Sequence, residues 1–325
     1  MRALTCKEYG PPESLLIDVW DDPVPGDHEI VFDVKAAGLN FADVLMIAGK
    51  YQVRTPPPFV PGNEASGVVS AIGSKVTRFK IGDRIIGALR GGAFAEKSVV
   101  AQDLAVPLPE GLSFEQGAAY AVAYGTSYHA LKQGARLQPG ESVLVLGAAG
   151  GVGNTAVELA KAMGATVIAA ASSDEKLAFA IEAGADHTIN YSEAPLKDAV
   201  KKLTGGNGVD VVYDPVGGDL AEPALRALAW HGRYLVIGFA SGDIPRLPIN
   251  FALLKEASIV GVWWGTWAER HTDEMLENMQ DLEDMVAAGK LRPRYSESFA
   301  FEDFASAFQV ITKRRVLGKI VLRIP

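Results

Sequence analysis

Residues 147–153, with the sequence GAAGGVG, are the part of the chain whose residue types most clearly suggest chemistry. They follow a four-residue apolar run, residues 143–146, and precede a helix-patterned stretch, residues 154–163. This order predicts a buried parallel strand, a tight turn and a helix. At such a junction the helix N-terminus presents unpaired backbone N–H groups and positive partial charge, and glycine lets a diphosphate approach the main chain. The segment therefore predicts a phosphate-binding turn.

The same segment can be aligned with the dinucleotide-binding pattern G-x-G-x-x-G. Its three key positions are then Ala148, Gly150 and Gly153, with Gly151 and Val152 between the last two. The first position is Ala, and the pattern alone does not distinguish a cofactor turn from a turn that only packs a helix on a strand. The position of the segment, after a predicted strand and at the head of an alternating α/β region, favours the cofactor turn.

The end of the next predicted strand, residues 166–171, indicates which dinucleotide binds. An acidic residue there would hold the ribose 2′-OH of NAD, but the chain has Ser172 and Ser173. Small hydroxyls leave room for a 2′-phosphate and can donate to it, and Lys176 can add positive charge. NADPH is therefore favoured over NADH. Two alternatives stay open: Ser172 and Glu175 also fit a helix capping box, and Lys176 can be an ordinary solvated lysine.

Length and composition limit the class of protein. The 325 residues suffice for about two domains, and the net charge of −8 disfavours nucleic acid or an anionic membrane as a partner. With Cys6 as the only cysteine, an internal disulfide and a thiolate metal cluster are excluded. We find no signal-peptide core and no apolar run approaching the ~20 residues of a membrane span. A cytoplasmic protein is expected.

The pattern along the chain predicts an α/β protein with two domains. Residues 1–122 and 290–325 contain short, β-branched segments with frequent turn signals, which indicates a β-rich domain. Residues 123–289 alternate strand and helix, which predicts a doubly wound parallel sheet. Its six predicted strands are residues 143–146, 166–171, 187–189, 210–213, 235–237 and 259–262.

Several stretches in order resemble a known family. They are AAGLNFAD (36–43), PGNEASG (61–67), GTSYHAL (125–131), AAGGVG (148–153), AGADHTINY (183–191) and DPVGG (214–218). Over nearly its whole length the chain resembles the zinc-independent medium-chain dehydrogenase/reductases of the quinone oxidoreductase (zeta-crystallin-like) family. The resemblance implies a GroES-like catalytic domain, a Rossmann domain that binds NADPH, and a cofactor cleft between them.

The resemblance also makes missing zinc ligands informative. Zinc-containing relatives have Cys where this chain has Asn40, His where it has Asn63, and a second Cys near Val122. Neither the catalytic nor the structural zinc set is present, so no metal is expected. Without a Lewis acid to polarise an alcohol or a simple carbonyl, the hydride acceptor must already be electrophilic. A quinone or an alkene conjugated to a carbonyl meets this requirement.

The site residues are implied by the resemblance. Asn40, Asp43 and Tyr51 would line the cleft near the nicotinamide, with Tyr51 the best candidate for a hydrogen bond or proton to the reduced acceptor. The cofactor would bind to the backbone turn, and Thr126 would contact its carboxamide or ribose. The residues at the 2′-phosphate would be Ser172, Ser173, Lys176 and Tyr191, with help from Arg314 or Arg315. The backbone shelf beside the nicotinamide would consist of Phe239, Ala240, Trp264 and Gly265.

Simpler structural roles remain open for several of these residues. Asn40 and Asp43 can satisfy backbone groups at a helix start, and Tyr51 and Tyr191 can be loop aromatics. Trp264, with its neighbour Trp263, can belong to the core or to a dimer contact.

Three functions follow as hypotheses. The first is an NADPH-dependent quinone oxidoreductase, and the second is an enone or 2-alkenal reductase that differs only in its acceptor. The third, of another class, is a non-catalytic NADPH-binding protein, since fold alone does not establish activity. A small-molecule substrate is expected, and by analogy a homodimer formed through the strand near residues 259–262.

Overall fold

The two large sheets of the protein belong to two separate units of the chain. A computed structural model describes all of residues 1–325. The first unit comprises Met1–Val122 and Gly265–Pro325, and the second comprises Ala123–Trp264.

The first unit is built mainly on antiparallel strands. Its seven-stranded sheet has the order β14-β15-β3-β4-β5-β7, with β6 also paired to β3, and β1 and β2 form a separate ribbon. Short segments with β-branched residues and turn signals produced this β-rich unit, as predicted from the sequence. Its elements are β1 (Arg2–Thr5), β2 (Leu16–Val19), β3 (Glu29–Leu39), α1 (Phe41–Ile47), β4 (Glu64–Ile72), β5 (Arg84–Ala88), β6 (Lys97–Ala101), β7 (Ala105–Pro107), α2 (Phe114–Ala118), α10 (Thr272–Ala287), β14 (Glu297–Ala300), α11 (Phe304–Thr312) and β15 (Ile320–Arg323).

The second unit is a six-stranded parallel sheet with helices between the strands. Its strand order is β10-β9-β8-β11-β12-β13, so the direction of winding reverses between β8 and β11. This confirms the doubly wound sheet and the six predicted strands. The elements are α3 (Ala121–His129, which spans the boundary), β8 (Ser142–Leu146), α4 (Gly151–Ala162), β9 (Thr166–Ala171), α5 (Asp174–Glu182), β10 (His187–Asn190), α6 (Leu196–Leu203), β11 (Val209–Asp214), α7 (Ala221–Arg226), β12 (Leu228–Val236), α8 (Asn250–Lys255), β13 (Ser258–Gly261) and α9 (Trp264–Arg270, which also spans the boundary).

The division after Trp264 differs from the sequence boundary, which assigned residues 265–289 to the second domain. Helix α10 buries Met275, Met279 and Leu282 within the first unit. The helical pattern continues across this point without a break in composition, so periodicity gave no signal for the change of unit.

Strand β8, which precedes the small-residue turn, lies in the interior of the second unit. Its residues Val143 to Leu146 are completely buried, because neighbours on both edges and helices on both faces cover them. Helix α4 after the turn ends at Ala162 with Met163 as its C-cap, and Gly164 takes a left-handed φ of +86° that stops it. Strand, turn and helix are thus fixed by local sequence.

We find no helix in the structure that combines the length and the apolar character needed to cross a membrane.

Candidate functional site

The turn between β8 and α4 is shaped by glycine. Gly147 has a left-handed φ of +57°, and its carbonyl oxygen accepts a hydrogen bond from the Gly150 backbone N–H at 2.9 Å. A methyl group added at Gly153 would lie 2.2 Å from that same carbonyl oxygen. Thus Gly147 makes the tight turn and Gly153 permits the close approach of helix and turn. Ala148 can replace glycine because the left-handed position falls one residue earlier.

The first turn of α4 provides an anion-binding surface of main chain. The helix begins at Gly151 after Gly150 as N-cap, and Asn154 N–H is the donor to the Gly150 carbonyl at 2.7 Å. The N–H groups of Gly151, Val152 and Gly153 therefore have no acceptor within the helix. These groups and the helix dipole favour a bound anion such as a diphosphate.

A buried hydroxyl cluster supports this helix start from below. Ser127 on α3 donates to the Val152 carbonyl at 2.9 Å, and its oxygen also lies 2.9 Å from Thr155 Oγ1 and 2.8 Å from the Tyr213 hydroxyl. Ser127 and Tyr213 are fully buried. The cluster therefore ties α3, α4 and β11 together beneath the turn.

The predicted 2′-phosphate residues meet at the carboxyl end of β9. Lys176 Nζ donates to Ser172 Oγ at 3.2 Å, while Ser173 is the N-cap of α5 and accepts from the Lys176 backbone N–H at 3.5 Å. The helix thus starts one residue later than the capping box on Ser172 would require. Tyr191 follows the neighbouring strand β10, and its backbone N–H donates to the Ala171 carbonyl at 3.1 Å.

Asp214 holds the adjoining loop after β11. It is 3% exposed and accepts hydrogen bonds from the backbone N–H groups of Val216 at 2.7 Å and Gly217 at 2.9 Å, and from the Tyr234 hydroxyl. Burial raises the pKa of this carboxyl, and these donors oppose the rise. Val216 in turn lies against Gly147, where an added methyl would come within 2.8 Å of its side chain.

The predicted nicotinamide shelf is only partly contained in the second unit. Phe239 lies beside Gly217, and the Ala240 N–H donates to the Pro215 carbonyl at 3.0 Å. Trp264 is 5% exposed, and its ring lies so close to Gly125 that an added methyl there would come within 2.5 Å. Trp264 is therefore a packed core residue. Its exposed neighbour Gly265 belongs to the first unit.

A second candidate cluster, in the first unit, joins three distant parts of the chain. Asn40 Nδ2 donates to Glu64 Oε1 at 3.0 Å, and Lys319 Nζ donates to Asn40 Oδ1 at 2.8 Å. Lys319 also pairs directly with Glu64. Glu64 Oε2 accepts the Val122 N–H at 2.9 Å. Glu64 and Lys319 are buried, whereas Asn40 is partly exposed.

Asp43 lies behind this cluster and is completely buried. Its Oδ2 accepts the Asn40 backbone N–H at 2.7 Å and its Oδ1 accepts Asn63 Nδ2 at 2.9 Å. Burial raises the pKa of Asp43 to about 7, although the Asn40 hydrogen bond opposes the rise. Asp43 therefore has the helix-start role that the sequence left open, and it supports Asn40 and Asn63.

The remaining predicted residues lie elsewhere on the two units. Tyr51 follows α1, is half-buried, and donates its backbone N–H to the Leu45 carbonyl at 3.1 Å. Thr126 is a partly exposed residue of α3. Arg314 and Arg315 are exposed in the turn after α11 of the first unit.

Comparison with known proteins places this geometry in a family. Residues 26–110 match the alcohol dehydrogenase GroES-like domain, and residues 151–281 match the family described as zinc-binding dehydrogenase. The chain is 41% identical to the quinone oxidoreductase-like protein 2 homolog of Nematostella vectensis, over 99% of this chain and 88% of that protein. It is a quinone oxidoreductase-like member of the medium-chain dehydrogenase/reductase superfamily.

Two solved structures extend this finding. The Escherichia coli quinone oxidoreductase complexed with NADPH is 31% identical, with a TM-score of 0.92 and full coverage of both chains. The CurK enoyl reductase is 27% identical, with a TM-score of 0.91, over 100% of this chain and 99% of that chain. Membership confirms the resemblance, the fold class and the prediction of an oxidoreductase acting on a small molecule.

The description of the family that matches residues 151–281 names zinc, but the donor set of this member does not fit that metal. Asn40 and Asn63 offer neutral amides, and the Lys319 ammonium occupies the same cluster. No group of three His, Cys, Asp or Glu side chains is placed to hold a metal ion. Zinc prefers thiolate, imidazole or carboxylate ligands.

Sequence reasoning gave no role to Lys319, Ser127 or Asp214 in this dehydrogenase/reductase. The sequence did contain a sign of Lys319, because this lysine directly precedes the apolar run 320–322, where a charged side chain is unusual. Ser127 and Asp214 are polar residues at element positions that become buried only when other segments pack on them. Local sequence carried no sign of those partners.

Proposed function

We propose that the protein is an NADPH-dependent quinone oxidoreductase. The observation that carries the proposal is the cluster of Asn40, Glu64 and Lys319, because Asn40, where zinc-containing relatives have a cysteine, offers an amide donor instead of a metal ligand. Such donors suit an acceptor that is already electrophilic, and a quinone is one. The quinone oxidoreductases among the relatives support this choice of substrate.

The residues around the β8–α4 turn fit NADPH. A methyl at Gly153 would collide with the Gly147 carbonyl oxygen, and a methyl at Gly150 would lie 3.3 Å from the same oxygen, so the turn and the start of the helix are closely packed backbone. We assign the diphosphate to the N–H groups of α4 and the 2′-phosphate to the hydroxyls and ammonium of Ser172, Ser173 and Lys176. When bound, NADPH supplies the hydride. The NADPH complex of the Escherichia coli relative supports this cofactor.

The remaining contacts of the cofactor are assigned by family resemblance. Tyr191 would join the 2′-phosphate group, and the arginines after α11 would add positive charge to it. These two arginines are Arg314 and Arg315. Thr126 would meet the carboxamide or ribose, and the backbone shelf beside the nicotinamide would consist of Phe239, Ala240, Trp264 and Gly265.

The protein's own part in hydride transfer falls to Asn40 and Tyr51. Asn40 Nδ2 carries two hydrogens, of which Glu64 accepts one, and the other can donate to the oxygen of the acceptor as negative charge develops there. The Tyr51 hydroxyl can donate a hydrogen bond or a proton to the reduced acceptor. Asp43 is buried and positions Asn40 through the backbone.

An enoyl or enal reductase is the second candidate, and the similarity to the CurK enoyl reductase favours it specifically. A conjugated alkene needs the same polarised oxygen and the same hydride. The two candidates therefore differ in the shape of the acceptor and not in the chemistry of Asn40.

The deciding experiment follows NADPH oxidation by the purified protein with para-benzoquinone and, separately, with a conjugated alkenal. NADH is run in parallel, and one sample is treated with a chelator. Faster turnover of the quinone with NADPH supports the proposal, and faster turnover of the alkenal supports the second candidate. NADPH binding without turnover of either acceptor would leave a non-catalytic binding protein.

The edge of the parallel sheet supports a homodimer. Strand β13 ends the sheet, and near it the side chains of Ile249, Leu253 and Trp263 are exposed. Exposed apolar residues beside an unpaired strand are typical of an interface. Sedimentation velocity should give twice the monomer mass, and replacing Leu253 by lysine should shift the protein toward monomer.

A further inference from the structure

Lys319 and Glu64 form a buried ion pair inside the first unit. The Lys319 side chain is 4% exposed and the Glu64 side chain is fully buried, although 255 positions separate them in the sequence. Both residues also bond the side chain of Asn40. A buried pair is costly unless further hydrogen bonds complete it, so its retention beside a site calls for an explanation beyond stability.

The pair determines which way the Asn40 amide points. Its oxygen faces the Lys319 ammonium at 2.8 Å and its nitrogen faces the Glu64 carboxylate at 3.0 Å. Turning the amide over would set NH2 against the ammonium and the carbonyl against the carboxylate, and both contacts would be repulsive. The charges therefore allow only one orientation.

The contact with Lys319 makes the amide a stronger donor. A cation on the amide oxygen withdraws electron density from the nitrogen, and hydrogen bonds in such a chain polarise one another. The second Nδ2 hydrogen stays unused by Glu64, and Asn40 is partly exposed. One polarised N–H is thus fixed in direction.

We propose that Lys319 and Glu64 are positioning residues for hydride transfer, which they assist by orienting and polarising the amide of Asn40. The inference rests on the proposed function, in which Asn40 donates to the acceptor. Neither residue of the pair touches the acceptor.

A kinetic cycle tests whether the pair acts through Asn40. Because Lys319→Met alone would leave a buried unpaired carboxylate, the variant is the double substitution Lys319→Met with Glu64→Gln, which removes both charges. We expect kcat to fall about tenfold while the Kd for NADPH stays within about twofold. In an Asn40→Ala background the same double substitution should change kcat by less than about twofold. A tenfold loss in that background too would overturn the proposal.

A matched control separates orientation from general stability. Arg233 and Glu141 form a partly buried pair in the second unit, with side chains 18% and 23% exposed and a 2.6 Å contact. Arg233→Met with Glu141→Gln should lower the Tm without lowering kcat. If both double variants lower kcat equally, the loss comes from stability and the proposal fails.

An NMR measurement tests the positioning role of Lys319 and Glu64 without relying on quinone turnover. The side-chain amide signals of Asn40 are assigned in a nitrogen–proton NMR spectrum by their loss in Asn40→Ala. They should be distinct and slow to exchange in the natural protein, and should move and exchange faster in the Lys319→Met/Glu64→Gln variant. Unchanged signals would refute the positioning role even if no quinone were turned over.

Discussion

The two candidate sites of this protein are built in opposite ways. The β8–α4 turn in the second unit works by leaving side chains out, since Gly147 and Gly153 bring backbone against backbone. The cluster in the first unit works by filling space with polar side chains, all of which are bonded to one another. Anion binding by the turn needs only main chain, whereas a directed donor needs a side chain held by others.

The difference has an energetic counterpart. The turn places no ionisable group in the interior, so its cost is limited to backbone conformation. The cluster buries Glu64 and Lys319, with Asp43 buried behind it, and burial is the main cause that raises the pKa of Asp43 to about 7. We infer that the buried charges lower the stability of the first unit but fix the direction of the Asn40 hydrogen-bond donor. Mutations at the two sites should therefore have different effects.

The largest expected effects are a loss of turnover from a mutation in the first unit and a loss of NADPH binding from a mutation in the second. Asn40→Ala should lower kcat about 100-fold with little change in the Kd for NADPH, because it removes a donor to developing charge. Gly153→Ala should raise that Kd at least about 30-fold and destabilise the fold by ~1–3 kcal/mol, because the new methyl meets the Gly147 carbonyl. Steady-state kinetics, cofactor titration and thermal unfolding measure the three quantities.

The matched control for the turn is Gly150→Ala. There the added methyl would lie 3.3 Å from the Gly147 oxygen, a contact that a small shift relieves, and φ is −77°, so the Tm should fall less than in Gly153→Ala. If Gly153→Ala and Gly150→Ala lower the Tm equally, close packing of helix and turn is not the function of Gly153.

A smaller effect on stability and on NADPH binding is expected for Ser127, in the buried hydroxyl cluster beneath the turn. Ser127→Ala removes the bonds to the Val152 carbonyl and to the Tyr213 hydroxyl and leaves that buried hydroxyl poorly satisfied. We expect a loss of ~1–3 kcal/mol in stability and a severalfold weaker NADPH complex, because the start of α4 is less firmly held. Denaturant unfolding and cofactor titration measure the two quantities.

Ser142→Ala gives the comparison for this variant. Its hydroxyl bonds Asp210 at the opposite, amino end of β8, at 2.8 Å. It should lower stability and leave the Kd for NADPH unchanged. A weaker NADPH complex in both variants would show that Ser127 acts through general stability.

The same contrast explains what the sequence could predict. The turn is contiguous, so strand, glycines and helix follow from residues 143–163 alone, and the alternating pattern extends this to the whole parallel sheet. The pattern did not indicate which residue takes the left-handed conformation, and the structure has it at Gly147. The cluster joins residues 40, 64 and 319 through β-sheet packing that no spacing rule encodes. Family resemblance pointed to Asn40, but its partner Lys319 required the structure.

The smallest expected effect concerns the end of β9, where a side chain supplements the backbone site. Lys176 Nζ bonds Ser172 Oγ at 3.2 Å, so it lies where the 2′-phosphate is proposed to bind. Lys176→Glu replaces an attractive charge by a repulsive one and should weaken NADPH at least a few-fold more than NADH. Lys202→Glu, on the exposed end of α6, makes the same change in net charge and should affect both cofactors equally. Titration of each variant with NADPH and with NADH tests the role of Lys176. If Lys176→Glu weakens both cofactors equally, the lysine is a solvated helix residue and the preference for NADPH rests on the serine hydroxyls alone.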